Sequence, residues 1–427
     1  MYNFESTHNY YNIVYVKLCI ECGEQDLFYY NFRTMKKYPL VVLFLTIFIG
    51  LLGFGIIIPI LPTYSKELGA SNFETGMLAS VYSLMTFLFA PLWGTLSDRI
   101  GRRPVIIYSI IITGLAYVMF SFADSLLILM LSRILAGIGS ANISAAQAYI
   151  ADITTPVNRV KNMGMIGAAF GLGFTFGPPV GGFLKSAYGV EMVGYVTAIL
   201  CFINLIMAYF LLPESLKEKN RLKKYSFRPV RDLVHELKKP VIRELFTINF
   251  IFTVTFFMFQ ITSTLLWKER FGLTEKEIGY LFMYLGLLSA IIQGGLVGRL
   301  NKIFGEQKLL LAGNAFMAAG MLLLPFATKE LFIVFNMIAI ACIAVSNGCL
   351  TPGISSMLSQ VADKKEQGQV LSMNQSFSSL GRVIGPALGG LLYGLNFHSP
   401  YIVGSFLMII AFVIAGVLAK QKIKNIT

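Results

Sequence analysis

VYSLMTFLFAPLWGTLSDRIGRRPVIIYSIIITGL, residues 81–115, sets one apolar run against a polar turn and then against a second apolar run. Extended outward to 75–97 and 104–122, each run is about 20 residues long, which is what an α-helix needs to cross the hydrocarbon of a bilayer. The turn between them, Gly94 to Arg103, holds three arginines, one aspartate and two glycines. Its glycines permit a tight reversal with backbones in contact, and its charges belong in water. The stretch therefore reads as two neighbouring membrane helices joined by a short polar loop.

The rest of the chain repeats this pattern. Apolar stretches fall at 38–61, 75–97, 104–122, 125–149, 162–184 and 191–212, then at 244–267, 277–298, 308–326, 330–352, 367–392 and 399–419. The 427 residues are 56% hydrophobic and 13% charged, against roughly 25% charged in a soluble domain, so a water-soluble enzyme is excluded. The predicted fold is an all-α membrane protein of twelve transmembrane helices in two six-helix bundles, 38–212 and 244–420. A basic linker, 213–243, joins them, flanked by an N-terminal tail, 1–37, and a C-terminal tail, 421–427.

The net charge of +13 is not a nucleic-acid patch, because the basic residues sit in alternate connecting segments. With the N-terminus inside, inner segments hold 27 of the 35 Lys and Arg residues, outer loops hold six, and Arg133 and Arg382 lie within spans. Both termini are expected in the cytoplasm, in the inner membrane of the cell. Within the linker, 229–239 places Val230, Leu233, Val234 and Leu237 on one helical face. That suits either a helix lying on an anionic lipid surface or a solvated connector. Residues 1–34 carry no signal-peptide pattern, and Met35-Lys36-Lys37 reads as a natural start, leaving the upstream segment as an artefact or a disordered tail. Cys19 and Cys22 form a lone CxxC with no second pair.

The halves echo each other. GTLSDR at 94–99 answers GGLVGR at 294–299, and GPPVGG at 177–182 answers GPALGG at 385–390. Such paired bundles place a substrate site between them and alternate access by rocking. Gly173, Gly177 and Gly181 recur every four residues on one helix face, as do Gly381, Gly385 and Gly389. Small residues at that spacing let helix backbones approach, with Pro178 and Gly182 beside the first series. A bend that seals the cavity and simple packing both fit.

The 94–103 turn resembles the signature loop of the major facilitator superfamily. Arg133-Ile-Leu-Ala-Gly137-Ile-Gly139 and the glycine-proline series at 173–182 resemble that superfamily's drug:proton antiporter motifs. Longer stretches, FGIIIPILPTY at 54–64 and APLWGTLSDRIGRRPV at 90–105, are similar to twelve-helix tetracycline-type and multidrug exporters. The resemblance runs from about Met35 to the end. It implies an inner gate of Gly94, Asp98, Arg99, Gly101, Arg102 and Arg103, with Asp98 near the inner start of span 11 and Arg102 reaching Asp152.

One departure stands out. All 22 Asp and Glu residues fall in tails, loops or the ends of spans. Where the resemblance implies a buried acid for a coupling proton, the chain reads Gly50, Ala116, Gln260 and Gly348. The two intramembrane charges, Arg133 and Arg382, are cations that do not deprotonate in proteins, and each should face a cavity or a partner. Gln260, Asn347, Asn374 and Gln375 are the polar mid-span residues that could line a cavity or bond between helices. Phe256, Phe257 and Phe259 form either an aromatic wall beside Gln260 or a lipid-facing surface. The expected function is secondary export of amphiphilic, drug-like small molecules, coupled to an ion gradient such as that of protons. The alternative is an organic-anion carrier without proton antiport that binds its substrate through Arg133 and Arg382. No catalytic, cofactor or metal constellation is expected; the partners are a small-molecule substrate and the bilayer, and the protein is expected to be a monomer.

Overall fold

The computed structural model describes residues 38–154, 156–216, 239–328, 330–362 and 367–424. The tail through Lys37, the lone CxxC and the amphipathic stretch of the linker lie outside the described residues. Among the described residues twelve long helices follow one another: α1 (Tyr38–Ile57), α2 (Asn72–Ile100), α3 (Arg102–Ser121), α4 (Leu126–Ile153), α5 (Pro156–Tyr188) and α6 (Val190–Leu211), then α7 (Pro240–Phe271), α8 (Glu275–Phe304), α9 (Glu306–Phe326), α10 (Phe332–Val361), α11 (Gln367–Leu395) and α12 (Ser399–Lys424). A short helix, Leu61–Glu67, follows α1.

Ten of the twelve are long and apolar enough to cross a membrane by length and composition alone. The other two are α5 and α11, the glycine- and proline-bearing pair that share the GPxxGG motif. Several helices outrun the apolar stretches that predict them. At 33 residues, α5 reaches about 50 Å at 1.5 Å per residue, so its ends stand clear of the hydrocarbon. Two helices are interrupted. The α4 axis breaks at Ala141-Asn142, and α8 passes through a π-helical turn at Ile292–Leu296, which contains Gly294 and Gly295.

Local chemistry sets the reversals. Ser71 caps α2 by a reciprocal pair, its Oγ accepting from Glu74 N at 3.2 Å while Glu74 Oε2 accepts from Ser71 N at 2.8 Å. Thr274 and Glu277 do the same at the start of α8, at 3.3 and 2.8 Å. Each box satisfies two backbone donors that a helix start leaves orphaned. Gly101 turns α2 into α3 at a φ of 116°, a conformation open to glycine and strained for other residues.

The apolar interior falls into two main clusters. One is drawn from residues 42–212 and the other mostly from 242–418, with Ile58 joining the second. Within the first, α5 packs on α1; within the second, α11 packs on α7. The glycine series make those contacts. A Cβ at Gly177 would stand 2.7 Å from Gly55 backbone, and one at Gly173 would stand 2.9 Å from Leu51. Gly381, Gly385 and Gly389 press in the same way against Thr253, Val254 and Met258 of α7. These glycines therefore serve packing inside each half.

Candidate functional site

Between the halves lies a cavity of about 370 Å³, within the usual range for small-molecule sites. Phe54, Tyr82 and Phe174 face it from the first half, and Phe252, Phe256 and Phe257 from the second. Phe54 stacks on Tyr82 with ring centres 4.8 Å apart. Phe259, third of the predicted aromatic wall, is instead fully buried against Trp267 and Phe282.

The polar residues singled out by sequence converge here. Gln260, Asn347, Asn374, Gln375 and Arg382 all line the cavity. Asn249 of α7, which the sequence reading passed over, joins them by donating from Nδ2 to Asn374 Oδ1 at 2.8 Å and to Ser378 Oγ at 2.7 Å. A polar residue inside an apolar run was the available signal. Of the four positions where an acid was implied, Gly50 and Gln260 line the cavity, Ala116 is fully buried and Gly348 abuts Ile292. The cavity lining contains no carboxylate among the described residues.

The two intramembrane arginines part company. Arg382 is the one charged side chain of the described cavity lining. Its guanidinium lies 5.9 Å from the centre of the Phe257 ring, and it has no hydrogen-bond or ion-pair partner among the described residues. Arg133 does not line the cavity. It is 2% exposed, stacked over Phe120 at 4.9 Å and Tyr117 at 5.7 Å, with a long 3.4 Å bond from Nε to Ser132 Oγ. Aromatic faces attract a cation through their quadrupole, so the rings supply part of what water would. Asn142, which lines the cavity, donates to Ser109 Oγ at 2.8 Å.

At the end of the molecule that carries the 94–103 turn, Arg102 is the hub. Its Nη1 meets Asp98 Oδ1 at 2.5 Å and Ser97 Oγ at 2.6 Å, and its Nε meets Asp152 Oδ2 at 3.2 Å. The implied Arg102–Asp152 contact is present. Arg103 donates to the Tyr209 carbonyl at 2.6 Å. Glu214, absent from the sequence reading, accepts from the backbone N–H of Arg102 at 2.9 Å and of Arg103 at 3.3 Å. A carboxylate there suits the positive end of α3. These contacts all stay within residues 97–214, and the segment preceding α11 lies outside the described residues. Gly94 faces Ser144 at 3.6 Å.

The opposite, far end is sealed by two contacts between the halves. At the α5–α8 contact, Pro178 O lies 2.6 Å from where a Cβ of Gly279 would be, and Gly182 presses on the Glu275 carbonyl. At the α2–α11 contact, Gly76 presses on the Pro386 carbonyl and Gly390 on that of Asn72. Toward the turn end, Cβ atoms at Gly294, Gly295 and Gly298 of α8 would meet nothing within 4 Å.

This geometry has known counterparts. The Major Facilitator Superfamily model matches residues 43–302 and 294–425. Multidrug resistance protein 2 of Bacillus subtilis (strain 168) is 30% identical over 400 residues, covering 91% of this chain and 96% of its own. Tetracycline resistance protein, class C, of Escherichia coli is 32% identical over 361 residues, covering 84% and 90%. The crystal structure of the human organic anion transporter MFSD10 (TETRAN) superposes with a TM-score of 0.67 at 23% identity, covering 89% of this chain and 99% of the other. Paired bundles around one cavity, the signature turn and this match over nearly all of both halves lead to one conclusion: the chain belongs to the Major Facilitator Superfamily of membrane transporters.

Proposed function

We propose that the protein exports amphiphilic, drug-like small molecules by alternating access, with both termini and the 94–103 turn in the cytoplasm. The observation that carries this is a cavity lined by both halves and closed over at the far end by the two contacts between them. Its walls combine aromatic faces with a few polar groups, which suits ligands that are mostly apolar with a polar handle. The relatives named for multidrug and tetracycline resistance favour export, and the 27-to-6 bias of basic residues favours this orientation. Asp98, Arg99, Arg102, Arg103 and Asp152, with Gly94 and Gly101 shaping the turn, form the gate that closes the cytoplasmic end when the far end opens. Asp98→Asn keeps the fold and stops turnover in this reading; unchanged transport by that variant removes the gate assignment.

A second reading is favoured by Arg382, a cation facing the cavity without a protein counter-charge. It makes the substrate an organic anion and leaves proton antiport without a carboxylate in the cavity. Since Arg133 is packed behind the lining, that reading rests on Arg382 alone. Transport in reconstituted vesicles with an imposed pH gradient, comparing cationic, neutral and anionic dyes, separates the two. Cation export driven by the gradient and unaffected by Arg382→Ala supports drug:proton antiport. Anion transport that falls at least about tenfold in Arg382→Ala, the loss of one charge-assisted bond, supports the anion carrier.

A further inference from the structure

We infer that Glu275 is a proton-binding residue that controls the far-end seal through its ion pair with Lys185. Glu275 opens α8 in the second half, and Lys185 stands near the end of α5 in the first. Their Nζ–Oε1 distance is 3.2 Å, and both side chains are nearly buried, at 10% and 9% exposed. Glu275 is the only acid in the buried set of described residues. Gly182, one turn before Lys185, presses on the carbonyl of Glu275 itself. The ion pair and the tight backbone contact therefore form together, and separating the halves breaks both.

The groups around Glu275 are few. Lys268 of α7, in its own half, lies 3.1 Å from the same Oε1. Lys276 and Glu277 are its chain neighbours, and Glu277 is committed to the Thr274 cap. Lys185 is held besides by Glu67 at 2.7 Å, by Thr63 Oγ1 at 3.1 Å and over the Tyr64 ring at 5.8 Å. Glu67 is 52% exposed, so water reaches the rim of the cluster. A proton arriving from that side adds to a Glu275 carboxylate oxygen. Lys185 keeps its three protons and turns to Glu67 alone, while Lys268 loses its ionic partner. The Lys185–Glu275 attraction exists only while the far end is shut. Protonation, which removes it, must by linkage favour the open state.

The related seal carries no such pair. Placing GPPVGG on GPALGG aligns Gly182 with Gly390 and Lys185 with Tyr393, while the cap motifs align Glu275 with Asn72. Tyr393 donates to Glu269 of its own half at 3.1 Å. Acid sensitivity is thus confined to one of two otherwise matching contacts. In a chain with no carboxylate among the described residues of its cavity lining, this gives an external proton a place to act.

The inference rests on alternating access, and its test reads conformation rather than transport. Spin labels at Phe73→Cys and Leu391→Cys, exposed positions on the α2–α11 groove, whose lining includes neither member of the ion pair, report far-end separation in nanodiscs with the native cysteines replaced. Lowering pH from about 7.5 to about 3.5, down through the ordinary carboxylate range near about 4, should raise the far-end-open population. Glu275→Gln should raise it at neutral pH by a factor of about five, the low end of usual coupling, and abolish the acid response. Lys185→Met should likewise open the far end at neutral pH, which guards against a folding artefact in one variant. An acid response that persists in Glu275→Gln overturns the inference. So does a far end that opens with an added transported dye but not with acid, an outcome that leaves alternating access standing. Labels that never move under either treatment overturn both.

Discussion

The two far-end seals share a backbone design and differ in chemistry. In each, a capped helix start meets the GPxxGG segment of a helix from the other half: α2 against α11, and α8 against α5. In each, one glycine makes room for a proline carbonyl and another for the first carbonyl of the capped helix. The α2–α11 contact places Asn72 and Tyr393 where the α5–α8 contact has Glu275 and Lys185. Two copies of one contact make the sealing geometry, and one copy alone is charged. Neutral close packing holds regardless of pH; an ion pair adds a term that acid removes.

The largest effect should come from breaking the shared part. Gly182→Leu or Gly390→Leu puts side chain where a backbone carbonyl of the other half now lies. Overpacking of this kind costs about 1–3 kcal/mol or more, so each should hold the far end open in label distances. Gly294→Leu, where nothing stands within 4 Å, is the control and should leave the far-end distance unchanged. If Gly182→Leu opens the far end and Gly390→Leu does not, the two contacts are not equivalent.

A smaller effect sharpens the chemical difference. Asn72→Glu combined with Tyr393→Lys transplants the ion pair into the neutral seal. The acid response of the label distance should then become steeper, because two carboxylates rather than one must protonate. Asn72→Ala alone should leave the response to pH as it is in the natural chain. The smallest effect concerns the caps. Ser71→Ala and Thr274→Ala each remove one capping side chain, worth about 1 kcal/mol. Matching small decreases in thermal stability in detergent are expected; a much larger loss at Thr274 would mean that its cap also positions Glu275.

The sequence displays such features unevenly. Spans, bundle division and signature turn are legible because lipid tolerates so few patterns: a helix must be long and apolar, and a charge must be placed in water or paired. The cavity residues Gln260, Asn347, Asn374 and Gln375 stand out for that same reason, as polar groups in apolar runs. Lys185 and Glu275 do not, because charges at span ends are ordinary and their pairing spans 90 residues of chain. Glu214 is hidden in the same way, as one of four acids in a basic linker.

The sequence by itself determined the membrane class, the duplicated six-helix plan, the turn chemistry and the family, since each follows from local length, periodicity or a contiguous motif. Tertiary structure decided which of two similar arginines faces the cavity, which contacts seal the far end, and which acid meets a lysine across the halves. Those outcomes depend on the rotation of each helix about its axis and on which helix lies opposite. Hydropathy constrains neither, because lipid and the interior of a bundle are almost equally apolar.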